Sequence, residues 1–264
     1  MDIVKKSSEL KLDYVKAYRE AEFPAYSELQ STGHVLIHNV QAEECPRILS
    51  SIGNIVSRPN GESSYNVKAE TGYADYYFTK STNGIGCHTE EPYLATPPRY
   101  LALYCIEPAQ CGGGQTKLYC PMNDYIRHLS MDDMALLKNI QVQFKANQNA
   151  VTNSIFDMFQ ANYPLLQEDD NGKKILRYSH NLFFYGDINA NIKGDDRVIR
   201  GLHPQVQKII KEINSHYQEN SLNITIPKSS LLIWDNHRLL HGRSPFMDTR
   251  RHLERYCLSD TATS

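Results

Sequence analysis

The tripeptide His88-Thr89-Glu90 constrains this chain more than any other stretch. Side chains on a β-strand repeat with period two, so His88 and Glu90 leave the same face and can grip one metal ion. Such a pair is half of a site and needs a second segment from elsewhere. The run Trp234-Asp-Asn-His237-Arg-Leu-Leu-His241-Gly-Arg243, followed by Arg251 and Arg255, is the candidate. Composition has to be discounted first. With 10 histidines and 30 acidic residues in 264, chance supplies roughly one His-x-Asp/Glu tripeptide. The chain holds two, His88-Thr-Glu90 and His252-Leu-Glu254. Their context differs: the first precedes a Pro97-Pro98 turn, a strand-like run over 99–106 and the glycines 112–114, whereas the second sits in a charged run that reads as a solvated strand end.

A chain of 264 residues can bury a substantial core without disulfides or structural metals. One domain over 1–264 is expected, with a helical N-terminal part over about 1–55. A net charge of −2 with no basic stripe points away from nucleic acid. No apolar run is long enough to span a bilayer, and MDIVKKSSELKLDY lacks the hydrophobic segment of a signal peptide, so the cytoplasm is expected. The six cysteines form no CxxC pair, against a zinc knuckle or a redox motif. Cys87 adjoins His88 but points the other way on a strand, as a core residue does.

Along the chain, Leu10, Leu12, Val15 and Tyr18 recur at helical spacing, so a surface helix or two is expected over about 8–29, interrupted at Pro24. A strand over 34–38 and a helix over 42–52 follow. The Gly-, Ser-, Asn- and Tyr-rich stretch 58–83 reads as loops and short strands at the mouth of a pocket. Pro121 starts a helix, and Ser130 with Asp133 makes an N-cap for the next. Strands are expected over 142–144, 175–179, 223–226, 230–234 and 252–258, with a turn at Asp169-Asp-Asn-Gly172. Val206, Ile209, Ile210 and Ile213 mark a helix over 203–217. The irregular segment 145–200, with Phe156, Phe159 and Tyr178, reads as a lid insertion or equally as a structural arm. The fold class is therefore mainly β with flanking helices: a double-stranded β-helix, the cupin-like jelly roll of two sheets.

Two histidines and one carboxylate on one face of a metal leave positions open for further ligands, the donor set of non-haem Fe(II) oxygenases. The third ligand is His237 or His241. They lie four residues apart, so on a regular strand they share a face and periodicity does not choose between them. The bland reading, histidines satisfied by hydrogen bonds, is the commoner one for any single histidine.

The blocks His-Thr-Glu, Pro-Pro-Arg-Tyr, Gly-Gly-Gly-Gln-Thr and Asp-Asn-His-Arg-Leu-Leu-His-Gly-Arg-Ser-Pro-Phe, closing in Arg-His-Leu-Glu-Arg, together resemble the TauD/TfdA-like superfamily of Fe(II)/2-oxoglutarate-dependent dioxygenases. Glu in the metal pair is most similar to the clavaminate synthase-like branch, which includes amino-acid hydroxylases. The resemblance spans roughly residues 30–260. It implies Fe(II), 2-oxoglutarate and O2, with His88, Glu90 and His241 as catalytic metal ligands, because the family's distal histidine follows Asp-Asn-x-x-x-Leu. It implies an arginine about fourteen residues further on for the 5-carboxylate of 2-oxoglutarate, which lands on Arg255, helped by Thr116. Arg251, four residues back, competes. A guanidinium fork and a hydroxyl suit a carboxylate, and the glycines lack the Gly-Lys-Ser/Thr of a phosphate loop. The implied reaction hydroxylates an unactivated C–H bond and releases succinate and CO2. Glu90 disfavours halogenation, for which the family gives up that carboxylate.

For the substrate, Glu91 or Glu70 could pair with an ammonium and Arg243 with a carboxylate, while Tyr93, Asn66 and Phe246 are lining candidates. Glu91 points away on an ideal strand, but Pro92 suggests a turn that brings it to the pocket. A small molecule is expected, a free amino acid and a basic one first, with no nucleic acid or membrane, on a monomer or homodimer. A desaturase or cyclase would use the same iron chemistry. A zinc hydrolase would use the same triad with an activated water but would not need Arg255 and Thr116. A jelly-roll binding protein would need none of this chemistry.

Overall fold

The structure is a computed structural model and describes residues 12–13, 24–57, 61–145, 160–168 and 172–260. Its architecture follows from one strand, β13 (Leu231–Asp235), in which every residue is buried. Leu231 and Ile233 face Leu29, Ile48 and Leu49 of the helices Pro24–Thr32 and Cys45–Ser50. Leu232 and Trp234 face the opposite way, into a cluster with Leu118 and Ile224. A strand covered on both faces reads as an unbroken apolar run, which is how Leu231 to Trp234 reads.

The large sheet runs β1 (Leu12–Asp13), β2 (His34–His38), β13, β6 (Tyr100–Glu107), β15 (His252–Ser259), β3 (Asn54–Ile55), with β4 (Tyr65–Lys68) also on β15. The small sheet runs β12 (Leu222–Ile224), β7 (Thr116–Tyr119), β14 (Leu240–Arg243), β5 (Ile85–His88). Leu118 of one sheet and Leu103, Leu232 and Leu253 of the other share the core between them. The outer face of the small sheet, with Cys87, Tyr119 and Leu240, packs on Leu182 and Phe183 and on the helix Pro204–Asn220. That helix buries Val206, Ile209, Ile210, Ile213 and Tyr217 along one stripe. The jelly roll with flanking helices is thus present, as is the Ser130 cap, whose Oγ accepts from the Asp133 N–H at 3.1 Å.

Three local expectations change. Leu12 lies in β1, paired in parallel with Ile37, and not in a helix; Leu10, Val15 and Tyr18 fall outside the described residues. Pro24 starts the helix Pro24–Thr32, the position where its missing N–H does no harm. The strand expected over 175–179 is β11 (Lys174–Leu176), paired with β10 (Leu166–Glu168). Within 145–200, Leu165, Leu166, Ile175, Leu176, Tyr178, Leu182 and Phe183 are all buried, and the Tyr178 hydroxyl donates to the Ile210 carbonyl at 3.0 Å. The described residues of this segment thus pack into the core. Phe156, Phe159 and the turn residues 169–171 lie outside the described residues. Among those described, no helix is long and apolar enough to cross a membrane.

Candidate metal centre

Strands β5 and β14 pair antiparallel with His241 opposite His88, and their register slips between His241 and Arg243. Gly242 sits at the slip because nothing larger fits: a Cβ there would lie 2.3 Å from the Tyr217 hydroxyl and 2.6 Å from the Ile85 carbonyl. The two imidazoles end with ring centroids 4.0 Å apart. Glu90 lies two residues past β5. The arm keeps the chain extended there, with the Thr89 N–H donating to the Tyr178 carbonyl at 2.9 Å and Thr89 Oγ1 accepting from the Tyr178 N–H at 3.1 Å. The alternation therefore persists to Glu90, whose Oε2 stands 3.6 Å from His241 Nε2 and 4.0 Å from His88 Nε2. Among the described residues, His88, Glu90 and His241 form the one cluster whose ligand atoms all lie within 4.8 Å of one another.

The charge states suit a cation. His88 Nδ1–H donates to the Gly86 carbonyl at 2.9 Å, which leaves the Nε2 lone pair facing Glu90. Burial, then the neighbouring His241, push the His88 pKa down to about 3, so the ring is neutral at ordinary pH. Burial alone would raise the Glu90 carboxyl, but Arg255, His241 and His88 together hold it well below the usual carboxylate range. A neutral His88 imidazole and an ionised Glu90 carboxylate converge with the His241 ring, a donor set that suits a divalent ion. Trp234 walls the site, its ring 4.9 Å from that of His241.

His237 takes no part. Its Nε2–H donates to the Pro97 carbonyl at 2.9 Å and its Nδ1 accepts from Arg99 at 3.3 Å. Both ring nitrogens are spent on the fold. Its neighbour Asn236 does reach the site: Oδ1 accepts from the Glu90 N–H at 2.7 Å, and Nδ2 donates to the carbonyls of Glu90 at 3.2 Å and Pro98 at 2.9 Å.

The two arginines divide. Arg255 places Nη1 2.8 Å from Glu90 Oε1, and its guanidinium lies over the Tyr65 ring at 5.1 Å. Arg251 is 3% exposed, donates Nε–H to the Gly114 carbonyl at 3.1 Å and lies over Phe246 at 5.2 Å, while its Nη1 has no partner. Buried Thr116 opens β7 two residues beyond Gly114.

The expected substrate contacts sort by parity and partners. Tyr65 pairs with Arg255 and Asn66 with Glu254, so Asn66 points outward, where its Oδ1 meets His252 at 2.6 Å. Tyr65, not Asn66, shares the site's face. Glu70 is exposed and bound to Lys80 at 3.0 Å. Arg243 donates to the carbonyls of Phe78, Thr79, Ser81 and Asn83 at 2.6–3.3 Å, so it braces the 78–83 loop and does not await a carboxylate. Phe246 is buried with the guanidinium groups of Arg243 and Arg251 over its ring. Glu91 does turn, at φ 51°, and its charge acts on both Arg255 and Tyr93. Burial, then Glu91 and Glu90, raise the Tyr93 phenol above its ordinary pKa. The turn is fixed from behind by fully buried Arg177, which donates to the carbonyls of Pro92, Leu94 and Ala95 at 2.8–3.0 Å. Asn236 was visible in the sequence only as part of the Asp-Asn block. Arg177 had no signal, since an arginine in a strand reads as solvent-facing.

The sequence profile described as "Taurine catabolism dioxygenase TauD, TfdA family" matches residues 3–257. A curated relative from Fischerella ambigua (strain UTEX 1903), 3-((Z)-2-isocyanoethenyl)-1H-indole synthase, is 22% identical over 195 residues, 69% of this chain and 64% of that protein. The match thus spans less than two thirds of the relative's length. Among solved structures, asparagine oxygenase in complex with Fe(II), 2S,3S-3-hydroxyasparagine and succinate aligns with a TM-score of 0.65 at 15% identity, over 89% of this chain and 77% of that one. The non-heme iron oxygenase OrfP in complex with Fe, succinate and (3R,4R)-dihydroxy-L-Arg gives 0.65 at 15%, over 92% and 84%. PvcB from Pseudomonas aeruginosa gives 0.58 at 16%, over 88% and 77%. These likenesses establish a shared fold. With the profile matched over nearly its whole length, the chain belongs to the TauD/TfdA family of dioxygenases.

Proposed function

We propose that this chain is a non-haem Fe(II)- and 2-oxoglutarate-dependent oxygenase that hydroxylates a C–H bond of a small polar substrate, a free amino acid or close derivative. The observation that carries the reading is the convergence of His88 Nε2, Glu90 Oε2 and His241 Nε2 from two strands, with His88 neutral and Glu90 ionised. When bound, iron supplies the redox chemistry that couples decarboxylation of 2-oxoglutarate to oxidation of the substrate.

The chain's own residues bind and orient. Arg255 is already engaged by a metal ligand. Arg251, buried with an unsatisfied Nη1 beside the Gly114–Thr116 stretch, is the better clamp for the 5-carboxylate, with Thr116 supplying a hydroxyl. Sequence offset alone selects Arg255 and leaves Arg251 as its competitor. Glu91, whose backbone turns at φ 51° and whose charge acts on Arg255 and Tyr93, receives a substrate ammonium, and Tyr93 lines the same wall. Asparagine oxygenase and OrfP, by their names and bound products, support the amino-acid reading. None of the six cysteines is in a disulfide, in keeping with a reducing, cytoplasmic setting.

A second reading, desaturation, is favoured by the Fischerella relative, whose named product carries an ethenyl group. The deciding experiment screens the twenty amino acids for substrate-stimulated succinate release with Fe(II), and separately with Zn(II). Succinate formed only with Fe(II), and a product one oxygen heavier, support hydroxylation. A product lighter by two hydrogens selects desaturation, and no succinate with any substrate defeats both.

A further inference from the structure

Arg177 is fully buried, yet each of its hydrogen-bond partners among the described residues is uncharged. Nε donates to the Pro92 carbonyl at 3.0 Å, and Nη2 to the carbonyls of Leu94 at 3.0 Å and Ala95 at 2.8 Å. Nη1 donates to Gln167 Oε1 in β10, and the guanidinium lies over the Tyr163 ring at 4.2 Å. Burial lowers its pKa to about 10, so it keeps its charge at neutral pH. A charge taken out of water without an ionic partner is costly, and here its contacts converge on one turn. That turn begins at Glu91, whose φ of 51° is a conformation that persists only where the surroundings impose it. The Leu94 N–H closes it on the Glu91 carbonyl at 3.1 Å.

The next two residues hold the metal half of the site. Tyr178 exchanges two hydrogen bonds with Thr89, and Ser179 bridges to His88. Metal strand and turn are therefore braced from one segment by separate contacts. Glu91 follows the metal ligand Glu90 directly, one Cα step of about 3.8 Å, and its charge acts on Arg255, whose Nη1 meets Glu90. We infer that Arg177 is a positioning residue that determines specificity: its grip on the carbonyls of Pro92, Leu94 and Ala95 sets where Glu91 and Tyr93 stand relative to His88, Glu90 and His241, and hence which carbon of a substrate held by Glu91 lies at the metal. Misplacement by about 1 Å costs up to about 10²-fold in rate, so a braced turn has a consequence for chemistry. The inference rests on the function proposed above and goes beyond it, by assigning the choice of oxidised position to a side chain buried behind the turn.

Arg177→Lys keeps the charge but replaces a planar fork with a single nitrogen, which cannot reproduce the three-carbonyl grip. The probe is whichever of the twenty amino acids most stimulates succinate release from the wild type with Fe(II) and 2-oxoglutarate. On it the variant should form oxidised product about tenfold more slowly, release succinate in excess of product, and give a second positional isomer by NMR. Calorimetry with Mn(II) and then 2-oxoglutarate should match the wild type, because Tyr178 and Ser179 keep their contacts. A side chain that serves the fold alone would lower the melting temperature and leave both the isomer and the ratio of succinate to product unchanged. That outcome overturns the inference, as does a loss of Mn(II) affinity in proportion to the loss of product. Should Arg177→Lys fail to fold, Gln167→Leu, which loosens Arg177 without altering the turn's own residues, decides by the same readouts: excess succinate or a second isomer supports the inference, and neither overturns it. A wild type that releases no succinate with any of the twenty defeats the proposed function, and this inference with it. An active wild type beside an unchanged variant defeats this inference alone.

Discussion

Asn236 holds Glu90 by its peptide, accepting from the Glu90 N–H at 2.7 Å and donating to the Glu90 carbonyl at 3.2 Å. The metal carboxylate is thus oriented from a loop that belongs to the other half of the site, between β13 and β14. Replacing Asn236 with Ala strands a buried N–H and the Pro98 carbonyl, at a cost of about 1–3 kcal/mol. It also frees the carboxylate, so metal affinity should fall about 10–100-fold, as when outer partners of metal ligands are removed. Urea denaturation of the metal-free protein and Mn(II) calorimetry measure the two effects separately. Destabilisation with unchanged Mn(II) affinity would mean that the clamp serves the fold alone.

His237 and His241 share a sequence block and part in their partners, so their alanine variants should part as well. His241→Ala should abolish iron-dependent turnover and leave the melting temperature close to that of wild type, because His241 Nδ1 has no hydrogen-bond partner to lose. His237→Ala should keep the metal site and lose about 1–3 kcal/mol, since the Pro97 carbonyl and an Arg99 donor are left unpaired in a buried place. Full activity in His241→Ala with loss in His237→Ala would reverse the ligand assignment.

What could be read from the sequence was what strand periodicity and block spacing carry. His88 and Glu90 share a face because the alternation outlasts β5, and Val206 to Tyr217 form one buried stripe. Parity would also have chosen Tyr65 over Asn66, had the register of β4 on β15 been known; pairing across 190 residues leaves no local trace. Arg243, Arg251 and Arg255 lie on or beside β14 and β15, and sequence offset cannot say which guanidinium meets carbonyls, which meets Glu90 and which has a free edge. Those differences arise from the loops each side chain happens to face, 78–83 for Arg243 and Gly114 for Arg251. Arg177, buried against three carbonyls of a turn 82–85 residues away in sequence, depends wholly on tertiary placement.

Arg251 and Thr116 should govern the co-substrate and not the metal. Arg251→Gln removes the charge but keeps a donor, and the apparent affinity for 2-oxoglutarate should drop about 10–100-fold, the worth of a charge-assisted contact. Thr116→Val should lower it about fivefold, the worth of one neutral hydrogen bond. Mn(II) affinity should be unchanged in both. If Arg251→Gln binds 2-oxoglutarate as the wild type does, the clamp is elsewhere.

Glu91 should act on the substrate alone. Glu91→Gln is close to isosteric and removes the charge that faces Arg255 and Tyr93, so KM for an amine-bearing substrate should rise about 10–100-fold while the 2-oxoglutarate requirement stays the same. An uncharged analogue of the same substrate should lose this dependence. Equal KM values in Glu91→Gln and wild type, with the amine protonated, would remove Glu91 from the binding site.

The stability of the metal-free protein should fall on acidification through the range set by His237. Burial, opposed by the Pro97 carbonyl and aided by Arg99, lowers its pKa from 6.5 to about 4. The folded state therefore resists a proton that the unfolded chain accepts. Above pH 6.5 the histidine is neutral in both states and costs nothing. Between 6.5 and 4 the unfolded state binds more protons, so unfolding becomes easier as pH falls, by about 1.4 kcal/mol per pH unit for one group. Below 4 both states are protonated and the slope from this residue ends. His88, lowered to about 3, acts in the same direction, so total slope does not identify His237, and the comparison must be with His237→Gln. Urea unfolding at pH 7.5, 6.0 and 5.0 should show the variant less stable at the top of the range and with a shallower fall, the two curves converging toward pH 5. Parallel curves would show that the buried ring is not the group whose protonation opposes folding.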